Sequence, residues 1–243
     1  MILPRDSDVD DDAGGEPPCF LHEFGPNGVI CSDPHQARDV AHWRKAERER
    51  LISARLKLSA DYRAAQTAAI ARDLNPLLPT APGTIVSVYW PIKAEPDLRP
   101  WMHALSEGGA RIALPVAIAP GQPLKFREWR PNTRMAPGLW KIPYPADGAE
   151  LVPSVMIAPV VGFDNDCFRL GYGGGFFDRT LAGFAASPRV IGVGYSGALI
   201  ATIFPQPHDV PVDWIVTGAA SPLRRRVGPS RTTGRASHEP CGS

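Results

Sequence analysis

The sequence predicts an α/β protein, a three-layer sandwich with a mostly parallel central sheet, and three observations carry that prediction. Short apolar, β-branched runs alternate with helical or turn segments from residue 84 onward, the rhythm of strands joined by helical crossovers. Several runs are apolar on both faces, VMIAPV at 155–160 and VIGVGY at 190–195 among them, as buried parallel strands are. Between these two stands RLGYGGGFFDR at 169–179, with Gly171, Gly173, Gly174 and Gly175 inside five positions. Glycines let a backbone take positive φ and approach a ligand closely, and the first N–H groups of a following helix would face that ligand.

Taken in order, residues 40–58 place Val40, Trp43, Ala46, Arg50, Leu51, Ala54 and Leu58 on overlapping faces at three-to-four spacing with charge elsewhere, which predicts an amphipathic helix. Ser59 caps a second helix that runs to about Leu74, where Asn75-Pro76 stops it. Strands follow at 84–89, 110–114, 155–160, 190–195 and 214–217, with helices at 98–107 and 177–184. LKFREW at 124–129 alternates and predicts a peripheral antiparallel strand. The result is a Rossmann-like sheet with the N-terminal helices packed on it.

Charge divides the chain of 243 residues, whose net charge is only +1. Residues 1–36 form an acidic head, with Asp6, Asp8, Asp10, Asp11, Asp12 and Glu16 against Arg5, and residues 221–243 a basic tail with Arg224, Arg225, Arg226, Arg231 and Arg235. Both are expected to be disordered flanks of one domain at 37–220. The tail's arginines have no interleaved aromatics, so nucleic acid is not an expected partner. No apolar run reaches about 18 residues and the start lacks a basic segment followed by an apolar one; a monomeric cytoplasmic protein is expected. Cys19, Cys31, Cys167 and Cys241 are too scattered for a disulfide framework or a zinc site.

Open α/β sheets bind ligands at the carboxyl ends of their strands. Residues 90–95, the glycine loop and residues 207–213 all occupy such places and are expected to converge. Neither common nucleotide fingerprint fits: G-x-G-x-x-G would need glycine at Phe176, and the terminal Gly-Lys-Ser/Thr of a P-loop is missing. A hydrolase is the rival enzyme class, since Gly194-Tyr195-Ser196-Gly197-Ala198 nearly spells a nucleophile elbow, with His208 beside Asp209 downstream.

The glycine loop, read as RLGYGGGFFDRTL, resembles the signature of the 5-formyltetrahydrofolate cyclo-ligase family, the 5,10-methenyltetrahydrofolate synthetases. Other landmarks come in that family's order over about residues 40–217. They are the basic helix ending in Leu58-Ser59, Tyr89-Trp90-Pro91 to Glu95, Leu114-Pro115, Gly138 to Pro143, residues 158–164, and His208-Asp209 through Val216-Thr217. The resemblance implies an ATP- and Mg²⁺-dependent cyclisation of 5-formyltetrahydrofolate to 5,10-methenyltetrahydrofolate through a phosphorylated formyl group, with ADP and phosphate released. A catalytically weak folate- or nucleotide-binding protein on the same scaffold is the alternative.

The resemblance also implies roles. Arg169, Leu170, Gly171, Tyr172, Gly173, Gly174 and Gly175 would hold ATP, with Phe176 and Phe177 closing its wall. Asp178 and Asp209 would hold Mg²⁺, Glu95 would accept hydrogen bonds from the pterin or steer the formyl-bearing nitrogens, and Trp90 and Trp140 would stack on the folate. On the basic helix, alignment on Leu58-Ser59 puts Arg50 at the family's phosphate arginine and Ala46 where a lysine is expected, with Lys45 adjacent and Arg44 or Arg48 as substitutes. Gly174 stands where some relatives carry lysine, and Phe176 and Phe177 replace tyrosines.

Overall fold

The computed structural model describes residues 34–79, 81 and 83–226; the expected disordered head and most of the expected tail lie outside them. Helix α1 (Pro34–Leu56) begins before residue 40, taking in residues assigned to the head, and α2 (Ala60–Leu74) follows after the Ser59 side chain accepts from the Tyr62 amide at 3.2 Å. That bond satisfies one of the orphan N–H groups at a helix start. Then come β1 (Ile85–Ser87), α3 (Arg99–Glu107), β2 (Arg111–Val116), β3 (Lys125–Trp129), the short pair β4 (Met135–Pro137) and β5 (Pro143–Pro145), and β6 (Val155–Pro159). A second pair, β7 (Gly162–Phe163) and β8 (Arg169–Leu170), precedes α4 (Phe176–Ala182), β9 (Arg189–Val193), β10 (Trp214–Val216) and β11 (Leu223–Arg224).

The main sheet has the order β11-β10-β9-β6-β1-β2-β3. Its five inner strands pair in parallel, and only the edge strands β3 and β11 run antiparallel. The α/β expectation therefore holds. Chain progression reverses between β1 and β6, the topological switch point where a crevice opens beyond the strand ends. Two corrections concern residues expected elsewhere. Leu223–Arg224, assigned to a disordered tail, add an edge strand, fixed where the Arg225 amide donates to Asp213 O at 2.9 Å. The expected strand–glycine turn–helix succession is interrupted by the β7–β8 hairpin, so the glycine loop leaves β8 and not β6.

Strand alternation divides the core between two layers. Val86, Ile112, Ile157, Ile191 and Val216 face Ile70 and Leu74 of α2 and Trp101 and Met102 of α3. The intervening Ala113, Met156, Ala158, Val190 and Ile215 face Leu181 of α4 together with Phe126. Gly192 keeps the second face close-packed, since a Cβ there would come within 2.5 Å of Ile215 Cδ1. A third, smaller cluster binds α1 to the strand ends: Leu51 packs with Val161, Leu170 and Ile203. Burying one such leucine contributes about 2 kcal/mol, and it sets α1 across the mouth of the crevice.

Candidate active site

The β7–β8 hairpin aims the glycine loop. Asp164 closes its turn, accepting at Oδ1 from the Asp166 and Phe168 amides at 3.1 and 3.0 Å and at Oδ2 from the Ile203 amide at 3.2 Å. The loop then turns through positive φ at Gly173 (92°) and Gly175 (62°) before α4 begins. Two of its glycines are crowded: a Cβ on Gly174 would lie 2.8 Å from the Phe176 ring and one on Gly175 2.8 Å from Arg179 Nη1, whereas one on Gly171 would meet nothing within 4 Å. Arg179 donates to Gly174 O and lies over the Phe176 ring, whose edge meets Trp140 at a centroid distance of 5.4 Å. Trp140 takes φ 54° and is 61% exposed, so its indole stands open to solvent beside the loop.

Beneath the loop, Arg169 is buried and already engaged. It donates to Val210 O and to Asp178 Oδ1, each at 3.0 Å, with its guanidinium 5.3 Å from the Phe177 ring centroid. The Val210 amide returns a bond to Asp178 Oδ1 at 3.3 Å. Arg169, expected to cradle phosphate with the loop backbone, stands as a strut under the loop and joins it to the segment after residue 207. Asp209, next to Val210, pairs with Arg44. Arg44 Nη1 lies 3.3 Å from Asp209 Oδ1, its Nη2 bonds Oδ2, and its remaining donors reach Ile203 O at 2.9 Å and Phe204 O at 2.8 Å.

The helix face turned to the site is that of Arg44, Arg48 and Arg55. Arg48 Nε donates to Gly171 O at 2.7 Å, and its guanidinium lies against Gly173. Burial, and next the neighbouring Arg44 charge, hold Arg48 below its usual pKa, with Asp209 opposing. Lys45 and Arg50, the residues that alignment selected, are exposed, and Arg50 bonds Glu47 on its own helix at 2.9 Å. The reason is phase: each residue turns a helix by about 100°, so 45 and 50 leave the face that 44, 48 and 55 share. Arg44 and Arg48, the substitutes that the sequence offered, are the basic residues this helix turns to the site.

After β1 the chain turns through Lys93 (φ 46°) and Ala94 (φ 60°) to reach Glu95. Glu95 is 6% exposed and accepts from the Ile92 amide at 2.9 Å and from the Tyr172 hydroxyl at 2.8 Å. Burial pushes its carboxyl pKa up, while those bonds and the charges of Arg55 and Lys93 oppose the rise. Glu95 also lines a cleft of about 590 Å³ between α2 and this loop, with Arg63, Thr67, Lys93 and Tyr195 around it. Trp90 packs partly into the core, with the Arg99 guanidinium 5.3 Å from its ring centroid, so it is less open to stacking than Trp140.

Asp178 and Asp209 are the two acids that the sequence offered as Mg²⁺ ligands. Among the described residues no three His, Cys, Asp or Glu side chains cluster to hold an ion, which removes an all-protein cage but suits Mg²⁺, bound by one or two carboxylates together with phosphates and water. Asp178 accepts both its bonds on Oδ1, leaving Oδ2 for a cation, whereas both oxygens of Asp209 are taken by Arg44 and the Gln206 amide. A serine triad gains no support, because the acid beside His208 is committed to Arg44. Cys167 is buried, and burial pushes its thiol up to about 11, the opposite of a reactive thiolate.

A doubly wound sheet with an anion-suited glycine loop on one side of its switch point and a carboxylate-lined cleft on the other has the layout of an α/β enzyme that joins two substrates. Residues 40–218 match the 5-formyltetrahydrofolate cyclo-ligase family, and the chain belongs to that family of enzymes. It is 36% identical over 143 residues to the 5-formyltetrahydrofolate cyclo-ligase of Mycolicibacterium smegmatis (strain ATCC 700084 / mc(2)155), covering 56% of this chain and 74% of that protein. Against the 5-formyltetrahydrofolate cyclo-ligase of Escherichia coli (strain K12) it is 31% identical over 140 residues, 54% of this chain and 76% of that one. The solved structure of Aquifex aeolicus 5,10-methenyltetrahydrofolate synthetase superposes with a TM-score of 0.66 at 25% identity, covering 80% of this chain and 99% of that one. The Mycoplasma pneumoniae synthetase, at 23% identity and a TM-score of 0.60, covers 72% and 98% and shares the fold.

Proposed function

We propose that this chain closes 5-formyltetrahydrofolate to 5,10-methenyltetrahydrofolate using ATP and Mg²⁺. The observation that carries the reading is the direct bond between the two half-sites: Tyr172, inside the glycine loop, donates to the buried Glu95 of the substrate-side loop at 2.8 Å. A reaction in which the formyl oxygen attacks the γ-phosphorus needs its nucleotide and folate held that close, because alignment and charge neutralisation supply most of the catalysis of phosphoryl transfer.

In this reading the formyl oxygen displaces ADP from the γ-phosphate. N10 then attacks the activated formyl carbon, loses its proton, and phosphate leaves with the former formyl oxygen. The protein's part is to bind and orient. Backbone N–H groups of residues 171–175 and the Arg48 guanidinium would hold the phosphates, and charge developing there would be met by fixed dipoles that need no reorganisation. Glu95 has one further lone pair on each oxygen, which suits two N–H donors on the amino-pyrimidinone edge of a pterin. Trp140 offers its exposed indole face to the flat rings. Asp178, through its second oxygen, would hold Mg²⁺, which would neutralise phosphate charge; Asp209 serves it through the Arg44 pair and the segment joined to Val210.

No helix among the described residues is long and apolar enough to cross a membrane, and we place the enzyme in the cytoplasm with folate as its small-molecule partner. The second reading, a catalytically weak binding protein, draws on one feature: Gly174 brings no cation to the loop. Absorbance of the methenyl chromophore, followed with 5-formyltetrahydrofolate and Mg²⁺ with and without ATP, separates the two. Growth only with ATP supports the cyclo-ligase; no growth from folded protein moves the binding protein into first place.

A further inference from the structure

The most complete polar construction near the crevice is a chain of three side chains drawn from three separate elements. Arg55, on α1, donates from Nη2 to the Tyr172 hydroxyl at 2.6 Å, and that hydroxyl donates to Glu95 Oε1 at 2.8 Å. The polarity is fixed by chemistry, since a guanidinium can only donate and a carboxylate only accept. Arg55 Nε donates to Lys93 O at 2.9 Å, so the same guanidinium also fastens the backbone just ahead of Glu95. The Tyr172 ring is flanked by Arg55 Cζ at 5.9 Å and Lys93 Nζ at 5.5 Å from its centroid. Arg55 is buried, like Glu95. Tyr172 thus sits among the phosphate-facing glycines, but its hydroxyl serves the other substrate.

We propose that Arg55 and Tyr172 are positioning residues for Glu95: together they fix the rotation of its carboxylate toward the folate and lock the glycine loop to the substrate loop. Folate affinity then depends on a phenol carried by the nucleotide loop. The inference rests on the reading of Glu95 as the folate's partner. Without the phenol, Oε1 loses its anchor and the carboxylate turns about its last torsion, which is broad and weakly restrained. Loss of the same bond lets burial raise the carboxyl further. The charged and titratable groups facing it are Arg55 from α1, Tyr172 from the glycine loop, Lys93 from its own loop, Tyr89 beyond β1 and Tyr195 beyond β9, with Arg63 of α2 and Asp97 lining the same cleft.

The test is a double-mutant cycle of Tyr172→Phe with Glu95→Gln in the full chain, read as equilibrium binding of 5-formyltetrahydrofolate and, separately, of a non-hydrolysable ATP analogue. Tyr172→Phe keeps the ring, and thermal unfolding checks that the fold is intact. It is expected to weaken folate binding about tenfold to a hundredfold, the size of a lost hydrogen bond to a charged group, and to leave the analogue within about twofold. In the Glu95→Gln background the same change is expected to add less than about threefold, because contacting residues are not additive. The acid limb of kcat/KM for folate should move to higher pH in Tyr172→Phe. Arg55→Lys, which keeps the charge but not the fork, should weaken folate less than Arg55→Gln. The proposal is overturned if Tyr172→Phe weakens the analogue as much as the folate, or if its folate effect persists undiminished beside Glu95→Gln. Because binding is read directly, intact coupling in a protein that does not turn over sinks the cyclo-ligase reading and supports this one.

Discussion

Replacing Asp209 with alanine asks whether this acid is first a structural partner or a metal ligand. The Arg44 and Asp209 side chains are 10% and 9% exposed, so solvent screens their attraction little. Removing the carboxylate leaves a buried guanidinium with two of its bonds gone, and the Gln206 amide loses its acceptor, now 2.6 Å away. Breaking one half of a buried pair costs about 3–5 kcal/mol. At about 2–4 °C per kcal/mol for a domain of this size, Tm should fall by roughly 6–20 °C. The assay is thermal unfolding by circular dichroism without Mg²⁺ or nucleotide, so that metal binding contributes nothing. Arg44→Met combined with Asp209→Ala should recover part of the loss, since an apolar side chain can replace a buried ion pair. A single Asp209→Ala protein within about 1 kcal/mol of the parent, needing more Mg²⁺ to work, would refute this reasoning and make Asp209 a ligand.

The other predictions concern the loop, the helix face and pH. Arg48→Ala should raise KM for ATP about tenfold or more, as loss of a charge-assisted contact does, while Lys45→Ala and Arg50→Ala stay within about twofold; steady-state kinetics with ATP varied decides, and equal effects from all three would count against the assigned face. Gly175→Ala places a Cβ at φ 62° and 2.8 Å from Arg179 Nη1. The backbone strain alone is about 1 kcal/mol, and KM for ATP should rise with folate binding unchanged; an unaltered KM would show that the loop tolerates reshaping. For Glu95 the folded carboxyl lies above its ordinary value of 4.5, chiefly through burial, so as pH falls it gains a proton early and loses an acceptor. The acid limb of kcat/KM for folate should therefore lie above 4.5, and a limb at or below that value would argue that another group governs it.

Much of the fold was legible because the inner strands leave a dense signal. VMIAPV and VIGVGY are too apolar to face water on either side, and their alternation with helices implies a parallel sheet. The short pairs were not legible. Met135–Pro137 and Pro143–Pro145 contain prolines that weaken any strand reading, and Gly162–Phe163 with Arg169–Leu170 are only two residues each, held by Asp164 rather than by local preference. In the site, the loops carrying Glu95 and the glycines come together as expected, but on α1 Arg44 and Arg48 were named only as substitutes, without the face they share. Its signal existed: Val40 and Leu51, both buried, are eleven positions apart, about three turns, and define a face on which 44, 48 and 55 also fall. Buried arginines interrupt that apolar stripe, and in a sequence an arginine reads as surface.

That face also bears on the missing loop cation. The buried guanidiniums of Arg44, Arg55 and Arg169 have acceptors in the fold: Asp209 and two carbonyls, Lys93 O with Tyr172, and Asp178 with Val210 O. These bonds tie α1 and β8 to the loops around the crevice. Arg48 differs, because its one bonded acceptor is the neutral Gly171 carbonyl while Arg44 repels it and burial strips its water. A charge held below its usual pKa by those causes gains most when an anion arrives, since the anion relieves both the repulsion and the lost solvation. A Cβ on Gly173 would lie 3.4 Å from Arg48 Cζ, which puts this cation one residue from Gly174, where some relatives carry lysine. In the proposed reading Arg48, reaching across the loop from α1, supplies the phosphate cation that the loop itself lacks, and its planar fork can make two bonds where a lysine makes a point contact.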